Sequence, residues 1–147
     1  MPSLEGQVIV VTGSTQGVGE AIALESARLG AAGVVVCGRN AENGNRVAAE
    51  IAELGAESLF VQADLADVDA TRAIISACDE RFGRIDGLVN AAAITTRGTL
   101  DSTTVELWDH LFAVNVRGPF LLTQGAVEIM KREKISGSIV NIISVAA

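Results

Sequence analysis

Tyrosine is absent from the 147-residue sequence, and aromatic residues of every kind amount to only 3%. A chain without Tyr has no phenol to offer as a catalytic acid. Cysteine is scarce: Cys37 and Cys78 are too few for a disulfide framework and point to reduced thiols in a cytoplasmic compartment. The one histidine, His110, stands beside Asp109 with no Cys or second His at ligand spacing, so no metal site is expected. Long apolar runs are missing as well, none approaching the roughly 20 residues that a membrane span needs. The start, Met1-Pro2-Ser3-Leu4-Glu5, lacks the basic segment and apolar stretch of a secretory signal. Positive charge is in short supply, with 11 basic against 18 acidic residues and a net charge of −7, which argues against a nucleic-acid-binding surface. Hydrophobic residues, by contrast, make up 49% of the chain, which excludes disorder and suffices for one packed domain.

Those apolar residues are arranged in an alternating pattern. Val8–Val11, Val34–Cys37, Leu59–Val61, Gly87–Asn90 and Ser138–Ile143 are short runs of strand character. Between them lie stretches of helical periodicity at 18–29, 42–54, 68–82 and 103–131. Continuous apolar strands separated by helices predict a parallel sheet buried on both faces, and right-handed crossovers make it an α/β doubly wound sheet. Gly30, Gly55 and Gly83 stand just past the first three helical stretches, where a left-handed cap favours glycine.

The first strand runs directly into Thr12-Gly13-Ser14-Thr15-Gln16-Gly17-Val18-Gly19 and then a helix. A turn at that point aims the helix N-terminus, with its free N–H groups and positive dipole end, at whatever sits beyond the strand. Gly13 permits the tight turn, Gly17 the close approach of a pyrophosphate, and Gly19 close packing of helix on strand. The strand before and the helix after are the context that makes such a motif informative.

The spacing is G-x-x-x-G-x-G, and it resembles the TGxxxGxG signature of the short-chain dehydrogenases/reductases. Further segments resemble that family in order. Asp64-Leu65 is similar to its adenine-contacting pair, and Asn90-Ala91-Ala92-Ala93 to its NNAG. Trp108-Asp109 and Asn115-Val116-Arg117-Gly118 resemble its Asn-bearing helix, and Gly137–Ser144 the strand that ends in its catalytic serine. Ala91 and Ala93 depart from NNAG by replacing its second Asn and its Gly, which leaves only backbone contacts at those positions. The resemblance implies a Rossmann fold across 1–147, with about five strands present and the C-terminal part missing. It implies cofactor contacts from Gly13, Ser14, Thr15, Gln16, Gly17, Val18 and Gly19, from Arg39 and Asn40, from Asp64 and Leu65, and from Asn90, Ala91 and Ala92. It also makes Ser144 and Asn115 catalytic, in a homo-oligomer built through the long helix.

The nature of the dinucleotide is read from the end of the second strand, Val36-Cys37-Gly38-Arg39-Asn40. An acidic residue about 20 positions past the glycine motif would bond a ribose 2′-hydroxyl. None stands there, and Arg39 could pair with a 2′-phosphate instead, so NADP(H) is expected over NAD(H). The plainer reading of Arg39, a solvated residue at a strand end, is the less favoured one. Read from the residues alone, Ser144 is a serine ending a strand near the surface. Asn115 shares the face of Leu107 and Leu111, which predicts a buried side chain, and Pro119 predicts a kink that frees the Asn115 carbonyl. Lys131, Arg132 and Lys134 read as a solvated helix end, and Trp108 and Phe112 as simple packing. The family's acid is a Tyr helped by a Lys four residues later, beyond the fifth strand. With that acid absent, the resemblance leads one to expect the N-terminal portion of an oxidoreductase for carbonyl or alcohol substrates, inactive by itself. A non-catalytic dinucleotide-binding or interaction module is the alternative. Another doubly wound nucleotide enzyme, such as a methyltransferase, fits the later segments less well.

Overall fold

The computed structural model describes residues 3–145; Met1-Pro2 and Ala146-Ala147 lie outside the described residues. The strands are β1 (Val8–Val11), β2 (Gly33–Gly38), β3 (Glu57–Gln62), β4 (Gly87–Asn90) and β5 (Ser138–Asn141). They form one parallel sheet in the order β3-β2-β1-β4-β5. The helices are α1 (Gly17–Arg28), α2 (Ala41–Glu53), α3 (Val68–Phe82), α4 (Val105–Phe112) and α5 (Gly118–Arg132). The expected α/β doubly wound sheet is therefore present, and the strand order reverses between β1 and β4.

Strand alternation divides the core into two layers. Val8 and Val10 of β1 join Val35 and Cys37 of β2 on the face covered by α3 and α5, with Ile74, Cys78, Leu122 and Ala126. Ile9 and Val11 join Val34 and Val36 on the other face, against Ala23, Ala27, Val47 and Ile51 of α1 and α2. With both faces covered, β1 is buried at every residue, which explains its unbroken Val-Ile-Val-Val. Gly30, Gly55 and Gly83 take φ of 90°, 95° and 67°, as their places after the helices require.

Three expectations from the sequence need correction. The fifth strand ends at Asn141 rather than Ile143, because its partner β4 ends at Asn90; Ile142 contributes one last bond, its N–H donating to the Asn90 carbonyl at 3.0 Å. The long helix is two helices joined by a π-helical turn at Ala113–Arg117, in which the Gly118 N–H reaches back to the Ala113 carbonyl. Pro119 has no N–H for the carbonyl of Asn115, and the wider turn just before it carries the interruption. Arg132 is more than a solvated end, since its guanidinium grips the Asp79 carboxylate at 2.6 and 2.8 Å and ties α5 to α3.

Asp86 clamps the amino ends of three neighbouring strands. Its carboxylate accepts the Val8 N–H at 2.9 Å and two N–H groups of Arg84 at 2.9 and 2.7 Å. Its backbone meets Val8 and Ser138, so one residue aligns the starts of β1, β4 and β5. Burial works to raise the Asp86 carboxyl, but the Arg84 ion pair and the Val8 amide outweigh it and hold it below the usual carboxylate value. A depressed folded-state value stabilises the protein above the unfolded value of about 3.9, and that contribution disappears as the pH falls through the folded one. Asp86→Asn should lower stability at pH 7 by about 1–3 kcal/mol, the range for losing hydrogen bonds to a buried charge. In urea unfolding, the gap to the wild-type chain should narrow as the pH drops below about 4. A gap independent of pH would show that the charge is not what matters.

Candidate functional site

The carboxyl ends of the strands open into a cleft of about 580 Å³. It lies over the reversal between β1 and β4, where open α/β sheets bind ligands. Five segments build it: the turn after β1, the turn after β2, the loops after β3 and β4, and the π-helical turn with Val114. Ile142, just past β5, adds an apolar wall.

The turn after β1 is shaped by close approaches. Gly13 has φ of 62°, and a Cβ there would fall 2.7 Å from the Cα of Ala92. The turn is thus pressed against the chain leaving β4. Thr12 fastens that contact, because its buried hydroxyl oxygen accepts the N–H groups of Ala91 at 3.0 Å and Ala92 at 3.1 Å. A Cβ on Gly19 would fall 2.3 Å from the Gly13 carbonyl oxygen, so the first turn of α1 packs on the loop itself rather than on a strand. Gly17 differs from both: its φ is 61°, yet no atom lies within 4 Å of the Cβ position. Its bare backbone faces open space at the start of α1. The residue preceding that helix, Gln16, is extended and gives no side-chain cap. An uncapped helix N-terminus presents backbone donors and a positive dipole end, which suit a phosphate.

Charge in the cleft is one-sided. Arg39 is the only charged residue among those lining it, and its guanidinium has no ion-pair partner among the described residues. The Gln62 amide donates to the Arg39 carbonyl at 3.0 Å and steadies the backbone there. Cys37 also lines the cleft, but burial pushes its thiol up to about 12, so it stays protonated and is no nucleophile at neutral pH.

The short chain dehydrogenase family model matches residues 7–147. The chain belongs to the short-chain dehydrogenase family. It is similar to a 3-oxoacyl-[acyl-carrier-protein] reductase of Synechocystis sp., with 38% identity over 146 residues, covering 99% of this chain and 59% of that protein. It is similar also to an NADP-dependent (R)-specific alcohol dehydrogenase of Lentilactobacillus kefiri, with 36% identity over 142 residues, covering 97% of this chain and 56% of the other. Among solved structures, a metagenomic short-chain oxidoreductase in complex with NADP superimposes with a TM-score of 0.90 at 39% identity, covering 99% of this chain and 65% of that one. A Burkholderia cenocepacia short-chain dehydrogenase in complex with NADP gives a TM-score of 0.90 at 35% identity, over 98% and 58% of the two chains. The chain thus spans less than two thirds of the length of these relatives.

Within this short-chain dehydrogenase framework, the residues singled out from the sequence fall into two groups. Gly13, Thr15, Gln16, Gly17, Val18, Gly19, Arg39, Asn40, Leu65, Ala91 and Ala92 line the cleft. Ser14, Asp64, Asn90, Asn115 and Ser144 are not among the lining residues. Ser14 is fully buried, donating to the Val11 carbonyl at 2.6 Å and accepting the Cys37 N–H at 3.1 Å, so its hydroxyl joins β1 to β2. Asn40 caps α2 by accepting the Asn43 N–H at 2.9 Å. Asp64 accepts the Ala66 N–H at 2.9 Å and shapes the loop that carries Leu65. Asn90 is buried and donates to Asn141 at 2.9 Å across the paired strands, while its own amide oxygen has no partner among the described residues.

Asn115 is exposed, contrary to the buried face its spacing implies. Leu107 and Leu111 are only partly buried, and α4 buries no residue at all. Its amide nevertheless has two partners: it donates to the Ile94 carbonyl and accepts the Ile94 N–H, each at 2.9 Å. That pairing fixes the loop after β4 to the π-helical turn. Ser144 lies three residues past β5 in exposed chain.

Thr12 is the positioning residue that sequence reading passed over. It was visible as the first letter of the glycine motif, but its partners are some 80 positions away. Thr12→Val keeps the shape and removes the acceptor, leaving two partly buried N–H groups without it, at up to about 1–3 kcal/mol each. It should lower the melting temperature and weaken nucleotide binding, whereas Thr12→Ser should preserve both. Equal behaviour of the two variants, measured by thermal melts and nucleotide titration, would remove the hydroxyl from this role.

Proposed function

We propose that this chain is the cofactor-binding portion of an oxidoreductase that moves a hydride between NADP(H) and a small carbonyl or alcohol substrate. The observation that carries the choice of nucleotide is the charge of the cleft: an Arg39 with no ion-pair partner among the described residues, and no carboxylate among the lining residues. A carboxylate would repel a 2′-phosphate, while a guanidinium bonds it with charge assistance. The named relatives that are NADP-dependent or hold NADP support the same reading.

The residues present fit a dinucleotide. The uncapped start of α1 and the bare Gly17 backbone would hold the pyrophosphate, and Leu65 would pack against the adenine. The loop Ala91–Ile94, fixed by Thr12 and Asn115, would support the end nearer the reacting carbon. When bound, the nicotinamide supplies or accepts the hydride. Ser144 would hydrogen-bond the substrate oxygen and so orient the carbonyl carbon. Asn115 would hold its helix and the Ile94 loop in register for the proton relay. With no Tyr in the sequence, these residues bind and orient but do not provide the family's phenolic acid.

The alternative, a non-catalytic binding module, predicts the same nucleotide affinity without turnover. Two reduced, buried cysteines suit a cytoplasmic setting, and among the described residues no helix is long and apolar enough to cross a membrane. A homo-oligomer is supported by the outward stripe of Val105, Trp108, Phe112, Val116 and Phe120 along α4 and α5, each about half exposed or more.

Arg39→Ala should raise the dissociation constant for NADPH at least about tenfold and leave that for NADH within a few-fold, the scale of one lost charge-assisted contact. Equal losses for the two nucleotides would sink the NADP(H) assignment. Phe112→Glu combined with Phe120→Glu should lower the mass seen in sedimentation equilibrium; an unchanged mass would place any interface elsewhere.

A further inference from the structure

In the π-helical turn between α4 and α5, Val114 is buried and lines the cleft, and Asn115 holds Ile94 beyond β4. Arg117 reaches a different segment, since positions two apart on a helical turn do not share a face. Its guanidinium donates to the Ala66 carbonyl, in the loop between β3 and α3. Beside it, a Cβ on Gly118 would fall 3.1 Å from the Cβ of Leu65, so the chain there lies directly against a residue of the cleft wall. The neighbouring carbonyls of that loop find their partners nearby. Asp64 accepts the Asp67 N–H at 3.0 Å, Leu65 the Thr71 hydroxyl at 3.3 Å, and Asp67 the Thr71 N–H at 3.0 Å. The Ala66 carbonyl is the exception: among the described residues its partner is Arg117, 51 positions away. Arg117 forms no ion pair among the described residues, and it does not line the cleft.

We propose that Arg117 is a positioning residue for the adenine end of the cleft. By holding the Ala66 carbonyl it keeps Leu65 in place as the wall on which the adenine rests, without touching the nucleotide itself. This role rests on the reading of the cleft as an NADP(H) site. One five-residue turn then braces both ends of the site, with Asn115 fixing the loop after β4 and Arg117 the loop after β3. A single exposed hydrogen bond adds little to overall stability. Its effect is on binding, because a loop already ordered in the free chain spares the nucleotide the cost of ordering it. What acts is the directed donor and not the net charge.

The test titrates NADPH and 2′,5′-ADP, which carries the adenine half alone, into the full chain, Arg117→Ala and Arg117→Lys by calorimetry. Arg117→Ala should raise both dissociation constants by the same factor, about fivefold or more, because the loss lies at the adenine end. Arg117→Lys keeps a donor of similar reach and should recover most of that loss. A loss for NADPH with 2′,5′-ADP unchanged, or a Lys variant no better than the Ala variant, would overturn the proposal. Salt separates the bond from plain attraction: the wild-type chain and Arg117→Ala should lose affinity in parallel as ionic strength rises. A flatter salt dependence in Arg117→Ala would show that only the charge acts, and would overturn the positioning role. A further measurement needs no ligand. In hydrogen exchange, the Ala66 and Asp67 amides, bonded within the loop at 2.9 and 3.0 Å, should exchange at least about fivefold faster in Arg117→Ala, with the Ile94 amide unchanged. Unaltered exchange at Ala66 and Asp67 would overturn the brace whatever the chain binds. A wild-type chain that binds neither ligand would instead overturn the cofactor reading, and the role at the adenine end with it.

Discussion

The Thr12 hydroxyl, accepting two successive N–H groups from the chain that leaves β4, joins the two halves of the cleft. Beside it, Gly13 lets the backbones of residues 13 and 92 come closer than a side chain would permit. Together they bring the turn after β1 and the loop after β4 into contact where the strand order reverses. The start of α1 then faces the cleft, and residues 91–94 form its opposite wall. The Asn115–Ile94 amide pair extends the same loop to the π-helical turn. A lost acceptor at Thr12 would therefore propagate to both the α1 end and the far end of the cleft.

Electrostatics acts on this frame with few charges. The net charge of −7 is spread over surfaces where Arg46 pairs with Glu20 and Glu50, and Arg132 with Asp79 and Glu133. These exposed pairs contribute little to stability individually. Inside the cleft the balance is reversed, with the lone Arg39 and oriented backbone dipoles facing the ligand volume. An acidic protein can thus hold an anion, because short-range donors outweigh a screened distant field.

Much of the fold was legible because its signals are local. Valine runs at 8–11 and 34–37, glycines at 30, 55 and 83, and the Gly13–Gly19 turn each follow from short-range sterics. Errors arose where a partner remote in sequence decides the outcome. The fifth strand stops at Asn141 because β4 stops at Asn90. Asn115 has the spacing of a buried residue, yet it is exposed and held by Ile94. Ser14 stands within the glycine motif but points into the sheet, where it joins Val11 to Cys37. Arg132 has the look of a helix-end cation and is in fact half of a bridge to α3.

The amino-acid sequence by itself determined the α/β alternation, the position of the glycine turn after β1 and the absence of an acid at the end of β2. These depend on residue type and on neighbours within a turn or two. Tertiary structure alone decided that Thr12 meets Ala91 and Ala92, that Arg117 reaches Ala66, and that Asn115 anchors Ile94. Each is a contact between segments that the chain brings together only after the sheet has formed. No local propensity records such a contact, because the free energy that makes it comes from burying the two layers around β1.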